Sequence, residues 1–371
     1  MKKVTRKSQR IATRKPATRP LQTDFEEFIH LIEAARLHAV SAANTALIDL
    51  YWQIGAHISR RIASEGWGQS TVQALADYIG QHHPNAKGFS AQNLWRMRQF
   101  FEAYESNAKL STLLRELPWS HNLAILSRSK RTEAREFYLR VAIRERWSFR
   151  ELQRQLNGAL FERTVLRPAK LSTPLGEIYP SATEVFKDSY LLEFLELPSR
   201  HSEADLQRGL VEQLKQFLIE LGRDFCYVGT QYALQVGERD FAIDLLFFNR
   251  ALNCLVAIEL KIEEFQPEHL GKLEFYLEAL DRNIKKVHER PSIGVLLCAT
   301  KDHKVVEYAL SRSMSPALVA EYQTRLPEKK VLQAKLHEFY QMLQQSRDLP
   351  SSTTASTPTR RTAKPRTPRK S

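Results

Sequence analysis

The sequence predicts two folded halves of different class: an all-α N-terminal half with a helix-turn-helix or winged-helix outline, and a C-terminal α/β half. Three observations carry this. From Phe25 onward, apolar residues recur at near-helical intervals. From Tyr190 onward, helical patterns alternate with short apolar runs of strand type. Between the two lie Pro168, Pro174 and Pro180 among polar residues. The expected organisation is a basic tail (1–21), a helical domain (22–166), a linker (167–189), an α/β domain (190–346) and a second basic tail (347–371).

The elements follow in order. Residues 1–20 hold eight Lys/Arg and no acid, with few large apolar residues, and are expected to stay disordered. Such a tail can hold polyphosphate loosely by counterion release, or serve only as a solubilising or targeting extension. Phe28, Ile29, Ile32, Ala35, Leu37 and Val40, then Leu47 to Ile58, mark a helical stretch ended by Gly66-Trp67-Gly68. A helix over Thr71–His82 is followed by turn signals, His82-His83-Pro84-Asn85 and Lys87-Gly88-Phe89. Ser90 is a good N-cap for a helix over Ala91–Tyr104. A helix, a turn and a helix carrying arginines outline a DNA reader, with Gln92, Asn93 and Arg96 as groove-facing candidates. An ordinary helical hairpin is the competing reading. His82-His83 reads as a loop pair, since no Cys or acid lies at ligand spacing. Residues 120–165 read as two or three more helices, one opened by Ser148 and Glu151 as a capping box.

In the second half, a helix over Ser202–Leu221 ends at Gly222. Strands are expected over Phe225–Gly229, Tyr232–Val236, Phe241–Phe248 and Cys254–Lys261, turning at Gly237 and Asn249–Asn253. A helix from Pro267 to Asp281, a buried strand over Ser292–Cys298, a helix over Asp302–Ser313, an edge strand over Ala317–Tyr322 and a helix over Glu328–Leu343 complete it. Residues 349–371 carry six Lys/Arg and no acid.

Charge is unevenly spread. The tails carry +14 against a whole-chain net of +13, which leaves the body near −1. Within it, residues 87–168 carry +8 (sixteen basic, eight acidic) and residues 169–348 carry −5 (22 basic, 27 acidic). A basic middle ahead of a mildly acidic domain suits nucleic-acid capture by one part and metal chemistry by the other. No apolar run approaches the ~20 residues of a membrane span, so no membrane partner is expected. The three cysteines, Cys226, Cys254 and Cys298, sit in apolar segments without metal-ligand spacing. They read as reduced thiols of a cytoplasmic protein.

The chemistry points to Phe241–Lys261. Asp244 interrupts the first strand; Glu259 and Lys261 interrupt the second. A buried carboxylate is costly unless a charge or a metal compensates it. Alternation puts Glu259 and Lys261 on one face, so with Asp244 alongside, one cavity holds two oxygen donors and an ammonium. Mg²⁺ or Mn²⁺ would suit it, with water and phosphate oxygens as the remaining ligands. The bland alternative is a strand end where Glu259 and Lys261 pair with each other.

This Asp, gap, Glu-x-Lys pattern resembles the core of the PD-(D/E)XK nuclease superfamily. Over about residues 25–345 the chain resembles the YhcG-type nuclease family. In the first half the resemblance rests on Gly66-Trp67-Gly68, Gly88-Phe89-Ser90, Asn93-Leu94, Trp119-Ser120-His121 and Trp147-Ser148 with Glu151-Leu152. In the second it rests on Phe217–Gly222, Val228-Gly229 with Gln231, Ile243–Phe248, Val256–Lys261, Tyr276-Leu277-Glu278 and Ile293-Gly294. It implies a helical, DNA-binding-like domain followed by a restriction-endonuclease-like core. It implies that Asp244 and Glu259 hold metal, that Lys261 is catalytic and that DNA is the substrate, in repair, recombination or defence. Gln231 and Tyr276 are added as site candidates, and Lys272 as a phosphate contact. Two departures stand out. An acid the family tends to place early in the first helix of the nuclease domain matches Gln207 here, and a Gln four residues before Tyr276 is Lys272. A nucleic-acid-binding scaffold that has lost catalysis is therefore the competing expectation, and an RNA-directed enzyme a third. Homo-oligomer formation is left open.

Overall fold

The computed structural model describes residues 21–348, Ser199 excepted. The expected disordered tails lie outside the described residues, except that Leu21 already starts a helix and residues 347 and 348 end one. The chain divides after Leu156 into two compact units.

The first unit is helical: α1 (Leu21–Glu65), α2 (Gln69–His82), α3 (Ala91–Tyr104), α4 (Ser111–Glu116), α5 (Trp119–Arg128), α6 (Thr132–Arg144) and α7 (Phe149–Asn157, running just past the division). No strand occurs among its described residues, so the winged alternative has no wing. The core joins α1 to α2 and α3 through Tyr51, Ile58, Val72, Leu94 and Met97. The α1–α3 crossing is close at Gly55, where a Cβ would meet the Met97 carbonyl oxygen at 2.2 Å. Ser90 caps α3 as expected, accepting from Asn93 N at 3.3 Å.

The second unit opens with α8 (Leu160–Leu166), ahead of the domain boundary expected at residue 166. The expected linker 167–189 is folded into this unit. It carries α9 (Thr173–Ile178), α10 (Ala182–Val185) and the first residue of β1 (Ser189–Leu191). Ser172 Oγ donates to Ser315 O and accepts from Ala317 N, which pins the segment to the sheet. Lys301, buried at its far end, donates to Asp188 Oδ1 at 2.6 Å and to Val319 O at 2.7 Å. The prolines there stop long helices without preventing short ones.

Next come α11 (Glu203–Glu212), α12 (Leu214–Leu221), β2 (Phe225–Val236), β3 (Arg239–Asn249), β4 (Cys254–Glu264), α13 (His269–Asn283), β5 (Arg290–Thr300), α14 (His303–Ser311), β6 (Ala317–Gln323) and α15 (Lys329–Asp348). The strands form one mixed sheet in the order β1-β6-β5-β4-β3-β2. β1, β6, β5 and β4 run parallel, and β3 and β2 are antiparallel to their neighbours. Three elements differ from expectation. β6 is internal, because the three-residue β1 covers its outer edge. β2 is one strand where two were expected, its register slipping between Tyr227 and Gly229. The helix expected over 202–221 breaks at Gln213.

Both faces of the sheet are covered. α9 to α12 pack Leu175, Phe186, Leu206 and Phe217 against Phe247, Val256, Ile258 and Leu260. α13 and α14 pack Leu273, Leu277 and Val306 against Leu246, Ala257 and Leu296. A sheet covered on both faces has continuous apolar strands, and a charge inside such a strand stands out. No helix among the described residues is long and apolar enough to cross a membrane.

Candidate active site

The site forms where the β3–β4 ladder stops. Paired residues end at Leu245 and Ile258. There the Asp244 carboxylate takes over, with Oδ2 accepting from Leu260 N at 2.9 Å and Oδ1 from Gln231 Nε2 at 3.2 Å. Gln231 reaches it from a left-handed backbone position, φ 45°, beside the β2 bulge. Such a conformation costs about 1 kcal/mol or more for a non-glycine residue and is kept where the surroundings impose it. Gln207 of α11 braces the same point, donating to the Asp244 carbonyl at 2.8 Å and to Thr230 Oγ1 at 3.1 Å.

Glu259 is only 1% exposed. Its Oε1 lies 2.5 Å from Lys272 Nζ and 3.3 Å from Lys261 Nζ. Its Oε2 is buried with no hydrogen-bond partner. A bare carboxylate oxygen is expensive to bury, so the site is built for a cation or donor at that atom. Burial raises the Glu259 pKa; the Lys272 hydrogen bond opposes this and the Asp244 charge adds to it. Burial alone would lower Lys261, but its contacts with Glu203 and Glu259 outweigh that and raise its pKa. Lys272 is raised in the same way, against burial, chiefly by Glu259. Lys272 Nζ also sits 5.4 Å from the centre of the buried Tyr276 ring.

The structure thus brings together Asp244, Glu259, Lys261, Gln231, Tyr276 and Lys272. It adds one residue the sequence reading missed, Glu203, whose Oε1 accepts from Lys261 Nζ at 3.1 Å. Glu203 lies one turn before Gln207, so the acid expected at position 207 stands four residues earlier on the same helix face. The available signal was Ser202, a capping-box N-cap that makes Glu203 the first helical residue.

Among the DNA-reading candidates, Gln92 and Arg96 are exposed on α3. Asn93 is not available as expected. Its Oδ1 accepts from Trp119 Nε1 at 3.0 Å and its Nδ2 donates to Gly88 O at 2.6 Å, so both ends brace the helical unit.

For a metal, the donor set is small. Among the described residues no three His, Cys, Asp or Glu side chains gather at ligand distance. Asp244 and Glu259 Oε2 give two carboxylates, which suits a hard cation that keeps water and phosphate oxygens as its other ligands.

An Asp held at a strand break, a buried Glu and a Lys two residues on, in a mixed sheet between helices, define a PD-(D/E)XK-type nuclease core. The family comparisons agree. Residues 183–337 match the YhcG PDDEXK nuclease domain and residues 27–163 match the DUF1016 N-terminal domain. The Escherichia coli (strain K12) protein named "Putative nuclease YhcG" is 32% identical, over 83% of this chain and 91% of its own length. The chain belongs to the YhcG family. Among solved structures, a repair endonuclease from Pyrococcus abyssi overlaps 36% of this chain and half of its own, at 12% identity and a TM-score of 0.24.

Proposed function

We propose that the chain is a metal-dependent nuclease that hydrolyses DNA phosphodiester bonds in the cytoplasm, in repair, recombination or defence. The observation that carries this is the bare, buried Oε2 of Glu259, beside Asp244 and two residues from Lys261. Asp244 and Glu259 would hold Mg²⁺ or Mn²⁺, and the ion would polarise a phosphoryl oxygen and lower the pKa of water. Gln231 and the Leu260 amide fix the Asp244 carboxylate, so little reorganisation is needed when the ion arrives. Lys261, held ionised between Glu203 and Glu259, would orient the attacking water and offset charge on the phosphate. Half-exposed Lys272 is free on its solvent side to meet a neighbouring phosphate. Gln92 and Arg96 of α3 offer contacts to the duplex.

The test is cleavage of linear and plasmid DNA with added Mg²⁺ or Mn²⁺, with RNA in parallel. Lys261→Ala should abolish cutting and leave DNA binding intact. A variant that cuts as fast as the wild type would remove the mechanism.

One observation favours a second reading, a nucleic-acid-binding scaffold without catalysis. Lys272 already neutralises Glu259 without any metal. Calorimetry separates the two: a scaffold gives no heat with Mn²⁺, and an enzyme gives heat that Asp244→Ala removes. Glu203, supplying an acid on the face where Gln207 lacks one, weighs toward the enzyme.

A further inference from the structure

The first 19 described side chains of α1, Phe25–Ala43, are all exposed. They span about 28 Å of helix. From Asn44 onward α1 is tied to its unit. Asn44 donates to Arg115 O and Leu117 O, and Ile48 and Tyr51 are buried. Ahead of that point Phe25, Phe28, Ile29, Ile32 and Val40 stand uncovered, Phe28 being 63% and Val40 70% exposed. An exposed apolar surface of this extent marks an interaction site.

The pattern along the helix says what covers it. Positions 25, 28, 29, 32, 36, 39, 40 and 43 follow helical spacing, so they form one stripe. The stripe is graded. Large residues (Phe25, Phe28, Ile29, Ile32) fill its first half, and small or short ones (Ala39, Val40, Ala43) fill its second. Charge is graded too: Glu26, Glu27 and Glu33 lie in the first half and Arg36 in the second, with one histidine in each.

We propose that this stripe pairs antiparallel with the same stripe of a second copy of the chain, making a two-fold homodimer. The register places Phe25 over Ala43, Phe28 over Val40, Ile29 over Ala39 and Ile32 over the Arg36 stem of the other copy. Large side chains then sit over small ones, which lets the helices approach closely. Glu33 comes beside Arg36 of the other copy, twice by symmetry. A parallel pair would instead stack Arg36 on its own copy within the apolar seam and set the glutamates against each other. The contact is isologous and therefore closes as a dimer. Leu31 and Leu37 lie off the stripe and are not explained by it. The inference is independent of the nuclease reading.

The test is sedimentation of the full chain. The wild type should be a dimer. Phe28→Asp with Ile32→Asp should loosen it by on the order of 100-fold or more, with an unchanged circular dichroism spectrum because neither residue packs in the unit. A monomeric wild type, or a double variant as dimeric as the wild type, overturns the proposal. Orientation is read by oxidation in a Cys226→Ser background, since Cys226 is exposed. Ile29→Cys with Ala39→Cys should cross-link between copies, and Ile29→Cys alone should not. Cross-linking by Ile29→Cys alone, or none by the pair, overturns the antiparallel register.

Discussion

Lys272 offers the sharpest handle on the site. Its ammonium lies 2.5 Å from Glu259 Oε1, so a cation that binds Glu259 must share the carboxylate with it. Lys272→Gln removes that competitor and keeps most of the side-chain volume. A hydrogen bond between charged groups is worth about 1.5–3 kcal/mol. The Lys272 side chain is 48% exposed, so solvent screening takes away about half of that. About 0.75–1.5 kcal/mol remains, or roughly four- to twelvefold in affinity. The expected outcome is that Lys272→Gln binds Mn²⁺ about four- to twelvefold more tightly than the wild type, by calorimetry without DNA at mildly alkaline pH. The same variant should hold DNA less well, having lost a phosphate contact. Unchanged or weaker Mn²⁺ binding would show that Lys272 does not compete for Glu259, and the reasoning would fail.

Other outcomes follow from the same geometry. Metal binding needs ionised Glu259, and burial raises its pKa. Mn²⁺ affinity should therefore fall with decreasing pH while still above the ordinary carboxylate value of about 4.3, as titrations across weakly acidic pH would show. The same shift has a stability sign: a raised folded-state pKa favours folding below the unfolded value, and that benefit is lost as pH rises through the folded one. Glu259→Gln should thus leave the metal-free protein at least as resistant to urea at neutral pH as the wild type. Lys301→Met strands the Asp188 carboxylate, 2% exposed, without its ammonium. It should cost the α/β unit about 3–5 kcal/mol in urea unfolding.

The two strands of the candidate site were legible because their apolar background is continuous, so Asp244, Glu259 and Lys261 broke an expectation that packing alone would have kept. Strand alternation then placed Glu259 and Lys261 together, and they lie 3.3 Å apart. Glu203 was missed because matching by position pointed to Gln207, although an N-cap at Ser202 already sets Glu203 one turn earlier on the same helix face. Asn93 looked free because the sequence does not reveal that Trp119, 26 residues on, takes its carbonyl oxygen. β1 was missed because three residues are too few to show a period, and their partner is Glu321–Gln323. With β1 unseen, β6 looked like an edge. The continuous β2 escaped for a related reason: the break expected after Gly229 is bridged by pairing with β3, Thr230 with Leu245 and Tyr232 with Ile243. For Asn93, β1, β2 and β6 the missing information was a partner distant in sequence; for Glu203 the signal was local, in Ser202 beside it.

The most direct measurement compares cleavage of labelled DNA by the wild type and by Asp244→Asn, with Mg²⁺ and with a chelator. Asp244→Asn keeps the side chain's shape and removes half of the carboxylate pair. The wild type should cut with Mg²⁺ and stop on chelation, while the variant, still folded and still binding DNA, should be slower by about 100-fold or more. Equal rates for the two proteins, or cutting that survives the chelator, would contradict a metal site built on Asp244 and Glu259.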